Sequence, residues 1–270
     1  MINQLNFLKQ IKMHPQKSKE WFEQRKNKLT SSDVATALGI NPYKKPIELL
    51  LEKCGAGRTF QGNESTLHGQ KYEDEAISKY AELMGKHVHA FGMISFSDLD
   101  PIRSIREESK KYMDPKYHFL AGSVDGISVD KIITDESILN QVEVKCPLRR
   151  KIKHSQIPEY YFPQVQLNMF ILDLEVTDFI EYIPNTIGKN VEINIVRIFR
   201  DEDWFEKNFP VLEKFWSSVQ FWRTQDITTH PDYNKYFSTS VAMPTPKFLF
   251  IDDNEERPSS PINDICLFED

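Results

Sequence analysis

The hexapeptide Val142-Glu143-Val144-Lys145-Cys146-Pro147 sets a carboxylate and an ammonium two residues apart. Strand side chains alternate, so Val142 and Val144 share one face, toward a core, and Glu143 and Lys145 share the other. Alone, that pair reads as an ordinary salt bridge. Upstream, Gly122-Ser123-Val124-Asp125-Gly126 holds an aspartate between two glycines. Glycine permits sharp bends and close backbone approach, and alone this segment reads as a turn. If the two segments pair, Asp125 and Glu143 converge. Converging carboxylates repel unless a cation lies between them, and a hard, oxygen-liganded ion such as Mg²⁺ suits that place.

A third carboxylate lies in Gly69-Gln70-Lys71-Tyr72-Glu73-Asp74-Glu75. On a helix, Glu73, Ala76, Ile77, Tyr80 and Met84 form one stripe, leaving Asp74 and Glu75 on solvated faces. A Glu on an apolar stripe is costly unless a cation or metal pairs with it. A salt bridge to a core Lys or Arg is the alternative reading. Other chemistries fit worse. The chain contains no HExxH, CxxC, GxxxxGK[ST] or GxSxG pattern,. His87 and His89 share a strand-like face but lack a third ligand nearby.

The elements that must position these groups can be traced from the pattern. Residues 18–29 read as a short helix carrying Trp21, Phe22 and Arg25. Thr30-Ser31-Ser32-Asp33 offers N-caps for a helix through Val34, Ala35 and Leu38, which Gly39 stops,. Ile47 to Lys53 is a helix, 55–66 a loop, and about 69–84 a strong amphipathic helix. Residues 119–129 and 141–146 read as strands close enough to form a hairpin. Residues 158–172 read as a helix with Pro163 in its first turns, 177–183 and 190–199 as strands, and 201–223 as a helix. The aromatics Trp204, Phe205, Phe215, Trp216, Phe221 and Trp222 of that last helix are expected in the core,. After about residue 236 the pattern fades into a Pro-punctuated acidic segment, read as an extended or disordered tail. The division is therefore a catalytic domain over 1–235 and a tail over 236–270.

Composition sets the outer bounds. The 270 residues are 40% hydrophobic and 27% charged, with a net charge of −6, as in a soluble globular protein. No apolar run approaches the ~20 residues of a membrane span, and no signal-peptide h-region is present. Three scattered cysteines argue against a disulfide framework and for a reducing, intracellular compartment. The acidic total conceals a basic start: residues 1–60 carry 11 basic and 5 acidic side chains, residues 201–270 carry 6 and 14. Local charge, not the total, makes a phosphate-binding surface. A second basic cluster, Arg149-Arg150-Lys151 with Lys153 and His154, alone reads as a solvated loop.

Taken in order, five pieces resemble the phage lambda exonuclease-like, YqaJ-type viral recombinase nucleases of the PD-(D/E)xK superfamily. They are Trp21…Arg25 with Leu29-Thr30-Ser31-Ser32; His68 to Glu73; Gly122 to Gly126; Val142 to Pro147; and Tyr160-Tyr161-Phe162-Pro163-Gln164-Val165-Gln166. Val124 stands where the family often has Pro, and Ser31 where it often has Ala. The resemblance implies an α/β restriction-endonuclease-like fold, a mixed central sheet flanked by helices. It also implies a Mg²⁺-dependent (Mn²⁺ as substitute) exonuclease acting 5′→3′ on double-stranded DNA ends, in viral recombination, replication or repair. By that resemblance Asp125, Glu143 and the backbone carbonyl of Val144 ligate the metal and Glu73 completes or supports the site. Lys145 orients or activates water, Gln164 lies beside Lys145 and the DNA, with Gln166 a weaker candidate, and Arg25 and Ser32 hold a 5′-phosphate. The family further suggests a ring trimer, a single-strand annealing protein as partner, and a place in the host cytoplasm or a viral replication site. A metal-dependent endonuclease, a DNA/RNA shutoff-type nuclease with the same site, and a non-catalytic DNA-end-binding module are the alternatives.

Overall fold

In the computed structural model, residues 2–14, 18–57, 62–134, 137–185, 190–238 and 262–263 are described. The chain opens with α1 (Ile2–Leu8) and α2 (Lys19–Lys26), the latter capped by the Ser18 hydroxyl on the Trp21 N–H. Then come β1 (Leu29–Thr30), a 3-10 turn over Ser31–Asp33, α3 (Val34–Ala37) and α4 (Pro46–Lys53). Helix α5 (Glu64–Leu83) starts five residues before its expected position, because Asn63 accepts from the Thr66 N–H and caps it there,. Strands β2 (Lys86–His89) and β3 (Met93–Ser95), helix α6 (Asp100–Arg103), and strands β4 (Leu120–Ser123), β5 (Gly126–Asp130) and β6 (Asn140–Lys145) follow. The remainder is α7 (Phe162–Leu172), β7 (Val176–Ile183), β8 (Glu192–Phe199), α8 (Glu202–Trp222), α9 (Tyr233–Ser238) and β9 (Ile262–Asn263).

Two sheets result. One orders its strands β1-β4-β3, the other β2-β5-β6-β7-β8-β9. The expected hairpin exists: β5 runs antiparallel to β6, with Gly126 opposite Val142. The single strand expected over 119–129 does not exist. It divides at Val124-Asp125, and β4 and β5 enter different sheets. Both flanking glycines sit at close approaches rather than at left-handed φ. A Cβ at Gly122 would lie 2.3 Å from the Asn168 side chain, and one at Gly126 would lie 2.4 Å from Val88.

The larger sheet is covered on both faces. Ala76 and Tyr80 of α5 pack with Val142, Val144, Cys146, Ile180 and Tyr182 on one face. Val165 and Met169 of α7 pack with Phe179, Val196 and Ile198 on the other. Because β6 and β7 run parallel, the chain must cross over between them, and α7 lies in that crossover. Pro163 and every residue from Val165 to Leu172 are buried, as befits a helix with protein on all sides. Its outer side meets the main core, to which Phe205, Phe209 and Trp216 of α8 belong; Trp204, Phe215 and Trp222 are half-buried against it. Phe221 departs from expectation and is 56% exposed. The residues expected to form a tail begin inside α9. Apart from β9, which pairs antiparallel with β8, residues beyond 238 lie outside the described set.

Candidate active site

The carboxylates meet where β5 stops pairing with β6. Asp125 occupies the break between β4 and β5, and its Oδ2 accepts the Val144 N–H at 2.7 Å. Within a strand residue the N–H and C=O lie along the same edge, so the Val144 carbonyl shares the edge that Asp125 covers. Glu143 points to the α7 face and is 1% exposed. Its Oε1 accepts from Lys145 Nζ at 2.5 Å and from Gln164 Nε2 at 2.5 Å. Its Oε2 faces Asn168 Nδ2 at 3.5 Å. Glu73 comes from α5, on the opposite face of β6, near enough for its charge to act on both Glu143 and Cys146.

The electrostatics follow from burial of like charges. Burial raises the Glu143 carboxyl to about 8; Asp125 and Glu73 add to the rise, and Lys145 opposes it. Burial also raises Asp125, against the pull of Lys145 and the Val144 N–H. At Lys145 burial works against the charged form, but Glu143 and Asp125 outweigh it and hold the ammonium above its ordinary range. Cys146 is pushed up to about 12 by burial and then by Glu73 and Asp125, so it is no nucleophile near neutrality. The all-oxygen donor set of these carboxyl groups suits a hard divalent ion, whose charge would favour their ionised forms. Among the described residues no group of three or more His, Cys, Asp or Glu side chains is placed to hold a metal ion by itself. The oxygens available to such an ion are the Asp125 and Glu143 carboxyls and the Val144 carbonyl.

A second polar centre forms where α2 meets the 3-10 turn. Arg25 lies over the Trp21 ring at 4.8 Å and donates to Ser32 Oγ at 3.0 Å. Among the described residues Arg25 forms no salt bridge, neither with Glu23 of its own helix nor with Asp33. Asp33 is already engaged: Lys53 Nζ lies 2.8 Å from its Oδ2 and Thr30 Oγ1 donates to the same oxygen at 2.7 Å. Burial would raise Asp33, but Lys53 and then Arg25 hold its carboxyl far below the usual range. Lys53 also donates to the Arg25 carbonyl at 2.7 Å, tying α4 to the end of α2. The hydroxyls of Thr30–Ser32 were expected to cap the following helix. Thr30 makes no side-chain cap bond; its hydroxyl serves Asp33 and contacts Ser32 at 3.1 Å.

Gln166 does not share the role of Gln164. It is buried, donates to the Phe199 carbonyl at 2.9 Å and accepts the Asp201 N–H at 2.9 Å, stitching α7 to the β8–α8 connection. Asn168 was missed, although it stands one helical turn beyond Gln164 and reaches the other oxygen of Glu143,. The basic cluster after β6 is largely solvated, as expected, with Arg149, Lys151, Lys153 and His154 exposed; Arg150 departs from that reading by pairing with the buried Glu181. Glu75 is exposed as expected, yet it accepts the Tyr182 hydroxyl at 2.5 Å.

Known proteins resemble this chain in fold and in sequence. A structure of an alkaline exonuclease from Laribacter hongkongensis superposes with a TM-score of 0.55 at 20% identity, covering 83% of this chain and 100% of that one. The likeness shows a shared fold, a mixed sheet flanked by helices. By sequence, uncharacterized protein R354 of Acanthamoeba polyphaga mimivirus is 31% identical over 186 residues, 66% of this chain and 31% of that protein. Uncharacterized protein YqaJ of Bacillus subtilis (strain 168) is 25% identical over 199 residues, 73% of this chain and 55% of that protein. The chain thus matches about a third to a half of the length of these relatives. Residues 20–178 match the model of the YqaJ-like viral recombinase domain, a span that contains Arg25, Ser32, Glu73, Asp125, Glu143, Lys145 and Gln164 together. The chain belongs to the YqaJ-like viral recombinase domain family.

Proposed function

We propose that this chain is a divalent-metal-dependent DNA exonuclease that hydrolyses phosphodiester bonds from double-stranded ends in the 5′→3′ direction. The observation that carries the reading is Glu143: buried, held at one oxygen by Lys145 and Gln164, with Asp125 and Glu73 close enough to raise its carboxyl. A hard cation held by Asp125, Glu143 and the Val144 carbonyl, Mg²⁺ or Mn²⁺ in its place, would supply positive charge at the attacked phosphate and make water a better nucleophile there. Lys145 keeps its proton beside these carboxylates. Its ammonium can orient the incoming water and offset charge that grows on the phosphate oxygens, an effect strengthened by the dry site. Gln164 fixes the carboxylate from α7, so Glu143 cannot rotate away from the strand edge. Arg25 and Ser32, under the +6 charge of residues 1–60, would grip a terminal 5′-phosphate with a planar fork and a hydroxyl.

The test is digestion of one linear duplex labelled at its 5′ or its 3′ end, with Mg²⁺ and with EDTA, beside closed circular DNA. Stepwise loss from the 5′ end in Mg²⁺ only, with circles intact, is expected. Cutting of circles would instead make it an endonuclease, and binding without cleavage in any divalent ion would make it an end-binding module.

A further inference from the structure

A row of tyrosines runs from solvent to the Lys145 ammonium. Lys145 Nζ lies over the Tyr161 ring at 5.0 Å. Tyr161 and Tyr160 have ring centroids 4.4 Å apart, and Tyr160 meets Tyr43 edge-to-face at 5.6 Å. Tyr43 ends the row and is 73% exposed. It is not a loose side chain on a loose loop. Asn41 accepts the Tyr43 N–H at 2.9 Å and donates to Thr36 Oγ1 at 2.8 Å, so the turn is pinned to α3. Burial against Tyr160 raises the Tyr43 hydroxyl, and Arg150 is near enough to oppose that rise. Arg150 is itself locked to buried Glu181, while Lys45 beside Tyr43 is exposed.

We propose that Tyr43, backed by Tyr160, is a stacking platform for an unpaired base of the DNA strand being cut. The inference rests on the nuclease reading above and adds to it a base-binding subsite. A phosphodiester must reach the Glu143–Lys145 pair, which lies against β6 and α7 and not on an open surface. A strand entering there parts from its complement and exposes the faces of its bases. Base faces stack on aromatic rings regardless of sequence, and nearby cations hold the backbone. An edge-to-face contact with Tyr160 leaves at least one face of Tyr43 open. The contact through Tyr161 to Lys145 makes the platform continuous with the site of cleavage, and the exposed Lys45 supplies charge complementary to phosphate. The ligand is a single-stranded segment within a few nucleotides of the bond cleaved.

The probe is a duplex with a short single-stranded overhang carrying 2-aminopurine, with the blunt duplex as control. Binding is measured in EDTA for wild type, Tyr43→Ala, Tyr43→Phe and Tyr43→Trp; cleavage in Mg²⁺ is measured separately. Tyr43→Ala is expected to weaken overhang binding by about 5- to 150-fold and to lose the 2-aminopurine quenching. Tyr43→Phe and Tyr43→Trp should retain both, since the ring and not the hydroxyl is used. Thermal melting checks that each variant folds, which the exposure of Tyr43 favours. Overhang affinity within twofold of wild type in Tyr43→Ala would overturn the platform, as would equal losses for overhang and blunt duplex, or a Phe variant as weak as Ala. Those results leave Mg²⁺-dependent cleavage by wild type untouched. Absence of cleavage with intact quenching would instead sink the nuclease reading while a base-stacking surface remained.

Discussion

Replacement of Arg25 by Ala tests the assignment of the second polar centre to a 5′-phosphate. The guanidinium gives one hydrogen bond to Ser32 and rests on Trp21, with no carboxylate bound to it among the described residues. Its loss should therefore cost the fold little: an exposed hydrogen bond and a surface cation–π contact together amount to about 1 kcal/mol or less. The cost should fall on the ligand. A charge-assisted bond to a phosphate oxygen is worth about 1.5–3 kcal/mol, which at 1.4 kcal/mol per decade is a slowing of about 10- to 150-fold on 5′-phosphorylated ends. A terminal phosphate carries more charge than an internal one, so the preference for 5′-phosphate over 5′-hydroxyl should collapse along with the rate. Arg25→Lys should recover only part, because an ammonium keeps the charge and loses the two-pronged geometry. The assay compares degradation rates of two duplexes that differ only at the 5′ end, for wild type and both variants. If Arg25→Ala slows both substrates equally, or leaves the phosphate-to-hydroxyl ratio unchanged, the pocket assignment is wrong and the case for 5′→3′ polarity goes with it.

Further expectations concern the residues around it. Asp125→Asn, Glu143→Gln and Lys145→Ala should each abolish cleavage while the circular dichroism spectrum is kept. Because the folded-state carboxyl of Glu143 is raised to about 8, above an unfolded value near 4.3, the folded state holds the extra proton between those values. Metal-free stability should therefore fall as pH rises through that window, and Glu143→Gln should flatten the slope in urea melts run in EDTA; an unchanged slope would contradict the burial argument. Lys53→Ala strands the Asp33 carboxylate and should destabilise by about 3–5 kcal/mol. Asp33 is depressed in the folded state, so its contribution is present above about pH 4 and is lost as pH falls toward its folded value, which acid titration of wild type and variant would reveal. Gln164→Ala should cut activity with little change in urea midpoint. Gln166→Ala should do the reverse, costing about 1–3 kcal/mol for the Phe199 carbonyl and Asp201 N–H it leaves unpaired; swapped outcomes would reverse the two assignments.

Much of the site was legible from local chemistry, because alternation and spacing are properties of the chain. The period of two in Val142 to Lys145 assigned Glu143 and Lys145 to one face, and the structure has them 2.5 Å apart. The helical stripe through Glu73 assigned it to the side of α5 that meets β6, and its charge is felt at Glu143. Hairpin pairing of the segments around Asp125 and Glu143 followed from their proximity in sequence, with Gly126 opposite Val142 in the outcome. What stayed hidden depended on partners distant in the chain. The division of 119–129 between two sheets is set by what packs against Gly122 and Gly126, namely Asn168 and Val88; no local propensity encodes those neighbours. Gln164 and Gln166 look alike in sequence, two residues apart, yet a helix turns about 200° over that interval. One amide therefore meets Glu143, and the other meets the backbone at Phe199 and Asp201. The Lys53–Asp33 pair and the Tyr43–Tyr160 contact likewise join elements through the core and across the crossover. Alternation and helical phase are local, so the candidate acidic groups and Lys145 could be picked out from the chain; which amide, which further lysine and which tyrosine stand beside them is a matter of long-range packing.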